Sequence, residues 1–236
     1  MAQELTYVGE ELDLFAHATR WKNYWSRILK PYLGKEVLEV GAGLGVNTPL
    51  LLGGAQTQWL CLEPDPTLAA RLEENCAKLP GHDRIKTQIG IVSDLPPTAK
   101  FDTILYIDVL EHIEHDAAEL KSAALHLHPG GRLIVLSPAH QFLFSPFDQS
   151  IGHFRRYSKA TLAAVEPATL RRERLFMLDS VGMLASLANR LMLKQKMPTR
   201  EQIDVWNNYL VPVSERVDPL LGFSIGKTVI GIWQQK

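Results

Sequence analysis

The chain has little cysteine: only Cys61 and Cys76 in 236 residues. That excludes a disulfide framework and points to a reducing compartment. It has no surplus of either charge, because 25 Lys and Arg face 26 Asp and Glu for a net −1. The molecule as a whole therefore has no field to steer it toward nucleic acid, and no basic stripe with interleaved aromatics supplies one locally. No uncharged apolar run approaches the roughly 20 residues that a membrane-spanning helix requires. The N-terminal stretch is polar and acidic (Glu4, Glu10, Glu11, Asp13), unlike a secretory signal. Internal repeats and low-complexity tracts are missing too. With 46% hydrophobic and 22% charged residues, the chain can bury a substantial core, and its length fits one large domain. A cytoplasmic globular protein is expected.

The pattern of apolar residues organises the chain. Thr6 to Leu33 reads as helical, carrying Trp21, Tyr24 and Trp25 at roughly helical spacing, with Pro31 and Gly34 marking the exit. Those aromatics suit packing against the domain, or a lid over a cationic ligand, whose charge aromatic faces favour. Strand and helix patterns then alternate from Glu36 to Leu178. Strands fall at Val37–Val40, Gln58–Glu63, Arg84–Ile91, Phe101–Asp108, Arg132–Pro138 and Thr169–Leu178. Helices fall at Asn47–Leu52, Thr67–Leu79, Ala117–His128 and Lys159–Val165. Such alternation argues for a parallel sheet covered on both faces. Asp179 to Leu221 is too long for a hairpin. It begins with Val181 to Leu193, apolar around most of its circumference, and Gly226–Trp233 closes the chain as a strand.

The strand Val37–Val40, with Glu39 inside it, meets three glycines at alternate positions, Gly41, Gly43 and Gly45. Glycines so placed make a tight turn and let backbone approach a ligand. A dinucleotide fingerprint would want glycine at position 46, where valine stands. Glu63 follows Gly41 by 22 positions (63 − 41), near the roughly 20 expected of an acid that accepts ribose hydroxyls. The glycine loop, the string D-V-L-E-H-I at Asp108–Ile113 and L-H-P-G-G-R-L-I-V at Leu127–Val135 stand in the order found in class I S-adenosylmethionine-dependent methyltransferases. The chain resembles that family, in particular its small-molecule, type 11/12-like members. The resemblance implies an α/β fold with a doubly wound, seven-stranded, mostly parallel sheet whose last strand is antiparallel. It implies S-adenosyl-L-methionine as cofactor and S-adenosyl-L-homocysteine as product. It places Glu39, Gly41, Gly43, Gly45, Glu63, Asp108 and His112 around the cofactor. Ile91 and Val92 stand where many members carry an adenine-binding acid, so this apolar pair would sandwich the ring; Asp94 reads as a turn residue.

The least generic stretch, Ala139 to Ser158, leaves the carboxyl end of the fifth strand, the edge at which open parallel sheets bind ligands. Its D-x-x-x-G-H-F-R-R-Y-S portion resembles a methyltransferase subgroup often encoded beside sugar-transferring enzymes in bacterial genomes. His140 and His153 are candidate general bases for a hydroxyl acceptor, since neutral imidazole accepts a proton near physiological pH. Asp148 is a candidate to orient one of them. Arg155, Arg156 and Tyr157 either bind an anionic or sugar-containing acceptor bidentately or tie the loop to the sheet through buried carboxylates. Glu111, His112, His115 and Asp116 do not have H-E-x-x-H spacing, and no metal is expected.

The expected organisation is an N-terminal helical lid (1–34), a cofactor-binding core (35–178), a helical cap insertion (179–221) and the final strand (222–236). The expected activity is methyl transfer to a small-molecule acceptor, at a hydroxyl oxygen. Aminopropyl transfer on the same fold is disfavoured by the Arg155–Arg156 pair, and a non-catalytic nucleoside-binding protein is the remaining alternative. The Val181–Leu193 helix lacks a strongly basic face, so a cap or homodimer interface suits it better than peripheral membrane association with lipid-linked acceptors; a monomer or homodimer is expected.

Overall fold

A computed structural model describes residues 11–192 and 199–236. Two short helices come first, α1 (Glu11–Ala16) and α2 (Thr19–Leu29). The core follows as β1 (Glu36–Val40), α3 (Thr48–Leu51), β2 (Gln58–Glu63), α4 (Pro66–Cys76), β3 (Ile85–Ile89), β4 (Phe101–Ile107), α5 (Asp116–Ala124), β5 (Leu127–Pro138), α6 (Pro146–Ser150), α7 (Lys159–Ala164) and β6 (Leu170–Leu178). Three further helices, α8 (Ser180–Met192), α9 (Arg200–Val205) and α10 (Val211–Leu220), precede β7 (Thr228–Gln235).

The strands form one seven-stranded sheet in the order β3-β2-β1-β4-β5-β7-β6. Strands β1 to β5 pair in parallel, and β7 runs antiparallel to both β5 and β6. The central strands are buried on both sides, which is why they read as nearly continuous apolar runs. Two core clusters lie on opposite faces. One joins Leu105, Ile134 and Ile232 to Trp21, Trp25 and the cap residues Trp206 and Val211; the other joins Tyr106, Val135 and Trp233 to Leu120 and Leu162. The chain reverses direction across the sheet between β1 and β4, which are direct neighbours. Such a switch point opens a crevice at the strands' carboxyl ends.

Three boundaries differ from the sequence expectation. The N-terminal helix is not continuous: Ala18 leaves the helical region (ψ 58°) and separates α1 from α2, while Thr6 to Glu10 lie outside the described residues. Helix α5 stops at Ala124 rather than His128, because Phe101 N–H donates to the His126 carbonyl and Phe101 pairs with Leu127. The Pro129-Gly130-Gly131 turn is thus an irregularity inside β5, not a stop before it. A Cβ on Gly131 would lie 2.9 Å from the His128 carbonyl oxygen and 3.0 Å from that of Phe101, so only glycine fits. Helix α8 starts at Ser180 and is described to Met192, and Leu193 lies outside the described residues. No described helix is long and apolar enough to cross a membrane.

Candidate active site

The crevice holds a cavity of about 1050 Å³, at the upper end of ligand pockets, about 300–1,000 Å³. Gly41, Gly43, Asn47 and Asp108 come to it from the switch point. Glu111 and His112 come to it from the segment after β4, His153 and Arg156 from the loop after α6, Trp21, Lys22 and Trp25 from α2, and Ile203 from α9.

The loop after β1 turns on glycines with φ of 62°, 57° and 72° at Gly41, Gly43 and Gly45, a region other residues enter only with strain. A Cβ on Gly41 would sit 2.8 Å from Val109 Cγ2 and one on Gly45 2.7 Å from Leu72 Cδ1. On Gly43 it would meet nothing nearer than Leu12 Cδ1 at 3.8 Å. Gly43 thus presents bare backbone to open cavity, and Gly45 supports it from behind. Glu63, at the end of β2, accepts from Gly43 N–H at 2.8 Å and from Asp65 N–H at 3.0 Å. Burial raises its carboxyl above the ordinary range against the pull of those two N–H groups. Glu39 lies beneath the loop rather than on the cavity wall. Its Oε2 accepts from Thr48 Oγ1 (2.8 Å) and Trp59 Nε1 (2.9 Å), so it ties α3 and β2 to β1.

Asp108 ends β4 with φ 54°, the left-handed region that non-glycine residues enter at a cost of about 1–3 kcal/mol, usually at functional sites. Its depth in the protein raises its carboxyl to about 6, with Lys22, His153, Lys227 and Arg156 pulling the other way. The side chain is nonetheless open to the cavity that it lines. Burial lowers the Lys22 amine, against the attraction of Asp108 and Glu39.

The loop that carries His153 and Arg156 centres on Asp148, fully buried. It accepts from His153 Nδ1 (2.9 Å), Arg156 Nε (2.7 Å) and Nη2 (3.0 Å), and Ser145 N and Oγ (both 2.8 Å). Burial alone would raise its pKa, but His153 and Arg156 outweigh it and hold the carboxyl well below the usual range. Nε2 of His153 points away from Asp148, 3.9 Å from Glu111 Oε1. Ser137 Oγ donates to the other Glu111 oxygen at 2.7 Å, and Oε1 has no hydrogen-bond partner among the described residues. Burial raises the Glu111 carboxyl to about 7 and lowers the His112 imidazole to about 4.

Several expected site residues sit elsewhere. His140 is not among the residues that line the cavity: its Nε2 faces the Gly226 carbonyl oxygen at 3.0 Å and its ring packs on Phe142, so it braces the loop. Arg155 and Tyr157 both engage Asp116, at 2.6 Å each, and Arg155 also donates to the Glu114 carbonyl. These two tie the loop to the start of α5 and are not among the residues that line the cavity. Val92 is fully buried in the core and offers no face to a ring, whereas Ile91 is 38% exposed. Asp94 accepts from Ile91 N–H, a turn role as expected. His115 and Asp116 do not join Glu111 and His112; His153 does.

Sequence reasoning missed Lys22, Glu111 as a wall residue, and Lys227. Lys227 Nζ lies 3.6 Å from the Trp206 ring centroid and 3.4 Å from Asp179 Oδ2, and burial lowers its pKa. Gly226-Lys227 reads as an ordinary strand start, so no local signal marks it.

A family model described as "Methyltransferase domain" matches residues 15–176. The chain belongs to this methyltransferase family. It is 30% identical over 157 residues to a demethylmenaquinone methyltransferase of Tropheryma whipplei, covering 65% of this chain and 63% of that one. It is 27% identical over 124 residues to a tRNA U34 carboxymethyltransferase of Shewanella frigidimarina, covering 50% of this chain and 37% of that one. The chain thus spans less than two thirds of either relative. The N-methyltransferase NodS of Bradyrhizobium japonicum, solved with S-adenosyl-L-homocysteine, superposes with a TM-score of 0.59 at 12% identity, over 93% of this chain and 88% of that one. At that identity the likeness is one of fold.

Proposed function

We propose that this methyltransferase moves a methyl group from S-adenosylmethionine to a hydroxyl oxygen of a small-molecule acceptor. The cavity fits the cofactor: Gly43 leaves bare backbone where a side chain would fill it. Gly41, Gly43 and Asp108, all on the wall, would hold the cofactor directly; Glu63, bonded to Gly43 N–H behind the wall, and Ile91, also off the wall, would flank its ribose and adenine. When bound, the cofactor supplies a methyl carbon activated by its sulfonium sulfur, whose C–S electron pair leaves with the sulfur. The chain's task is then alignment and exclusion of water. Trp21, Trp25 and the cap residues Ile203 and Trp206 close the cavity for that purpose.

The observation that carries the oxygen-directed reading is the Asp148–His153 pair. Asp148 holds the Nδ1 side of the His153 ring and so leaves Nε2, on a residue that lines the cavity, as the atom to take the acceptor's proton. Arg156 and Lys227 are both on the wall, each paired with a buried carboxylate, Asp148 and Asp179, so they would donate hydrogen bonds to a sugar hydroxyl or an anionic group without supplying a net positive field. The tRNA-acting relative suggests another acceptor, but a net charge of −1 gives no attraction to a polyanion.

Calorimetry with S-adenosylmethionine on the wild type and on Glu63→Ala tests the donor side, and a screen of hydroxylated acceptors tests the other. Absence of heat with the wild type sinks the reading. Turnover only on amine acceptors sinks the oxygen-directed part.

A further inference from the structure

We propose that Glu111, His112 and His153 form a binding site for a divalent transition-metal ion on the acceptor wall of the cavity. One ligand atom from each residue lies within 4.8 Å of the other two. Ligands bonded tetrahedrally to one zinc ion at 2.0–2.2 Å stand about 3.4 Å apart. The observed cluster therefore needs a contraction of up to about 1.4 Å (4.8 − 3.4), within reach of small rotamer changes.

Three independent features point to an ion rather than to a solvated polar corner. Glu111 is fully buried, yet its Oε1 has no hydrogen-bond partner among the described residues. His153 Nε2, at 3.9 Å, is too far to satisfy it. The other nitrogen of His153 is held by a buried carboxylate, Asp148, and His112 hydrogen-bonds the Gly152 carbonyl. This is the outer-shell arrangement that fixes a metal-binding imidazole's tautomer and turns its lone pair to the ion. Finally, the two imidazoles meet edge to face, with centroids 4.5 Å apart and planes at 81°. Rings so crossed can direct two lone pairs at one point.

The donor set selects the metal class. Two imidazoles and one carboxylate suit zinc or a neighbouring first-row ion, whereas magnesium and calcium prefer oxygen alone. The nearby cation does not forbid it, because the Arg156 guanidinium is neutralised bidentately by Asp148. Three protein ligands leave coordination positions open, and all three residues line the cavity. With the ion bound, His153 Nε2 would be a ligand and no longer the base: an acceptor hydroxyl at an open position would ionise more readily and lose its proton to solvent, so the proton transfer to His153 belongs to the metal-free protein. That role rests on the methyl-transfer reading; the site itself does not.

The test uses the full chain freed of metal by a chelator and titrated with Co²⁺ and with Zn²⁺. One equivalent should bind, Co²⁺ giving a visible absorption band that Zn²⁺ abolishes. In the wild type, Zn²⁺ should shift the ring resonances of His112 and His153, a readout that needs no variant. His112→Ala and His153→Ala should each weaken binding by at least the about 10–100-fold that losing an outer-shell partner costs, and Glu111→Gln likewise. No binding at millimolar ion, unmoved ring resonances, or undiminished binding in the double histidine variant would overturn the site. S-adenosylmethionine calorimetry on the same samples separates the two ideas. Cofactor bound without the metal removes the ion site alone; metal bound without the cofactor removes the methyl-transfer reading alone.

Discussion

Replacing Asp148 with alanine should be among the most damaging changes at the acceptor wall. The carboxylate is fully buried and accepts two bonds from Arg156, one from His153 and two from Ser145. Its removal strands a guanidinium that is only 15% exposed and leaves the Ser145 and His153 N–H groups without their acceptor. Breaking a buried pair from one side costs about 3–5 kcal/mol, because the remaining charge is uncompensated. For a chain of this size each kcal/mol lowers Tm by about 2–4 °C, so the melting point should fall by roughly 6–20 °C. Circular dichroism measures that directly. Arg156→Met combined with Asp148→Ala removes both charges, and the double variant should recover about 1–3 kcal/mol relative to additivity. Cofactor affinity should change little in Asp148→Ala, since Asp148 lies on the other side of the cavity from the glycine loop. A loss below about 1 kcal/mol, the worth of a surface ion pair, would refute the reasoning, as would strict additivity in the cycle.

Gly43→Ala should abolish S-adenosylmethionine binding in calorimetry while costing only about 1–2 kcal/mol of stability, because its φ of 57° is strained for alanine but space is open. Tyr24→Phe removes the 2.9 Å bond to buried Asp218, which keeps its bonds from Asp179 N–H and Ser180, and should lower stability by about 1–2 kcal/mol in urea unfolding. Arg155→Ala should lower stability by about 1–2 kcal/mol through the loss of Asp116 and the Glu114 carbonyl, and leave acceptor KM unchanged. A raised KM there would return Arg155 to the acceptor site.

The sheet was legible where burial leaves a mark on the pattern. Strands β1, β2 and β4 are apolar runs because both their faces are covered, and the turn glycines punctuate them. The α5–β5 boundary was not legible, since the apolar period runs on through Leu125 and Leu127 while a distant strand recruits that backbone. Helix-like composition cannot record a partner 26 residues away (127 − 101). Likewise Glu111 reads as a polar residue at a helix start. Only the fold reveals that Ser137 and His153 enclose it.

The paired arginines show why the acceptor side resists sequence reading. Arg155 and Arg156 are chemically identical and adjacent, so no property of composition or spacing separates them. In the structure they part: Arg155 joins Tyr157, two positions on, at Asp116 at the start of α5, while the cavity-lining Arg156 and His153 meet at buried Asp148 behind the wall. Residues two apart on extended chain share a side, and neighbours oppose. The choice of which arginine faces inward is therefore made by the loop's register against Asp116 and Asp148, one carboxylate on each side. Reversing Asp148 to lysine together with Arg156 to glutamate keeps that register's charge balance but replaces the planar fork of guanidinium with a point charge. The swap should restore part of the stability lost in either single change and still leave His153 misoriented. Stability and turnover would then separate in one protein, which a purely structural role for this loop does not predict.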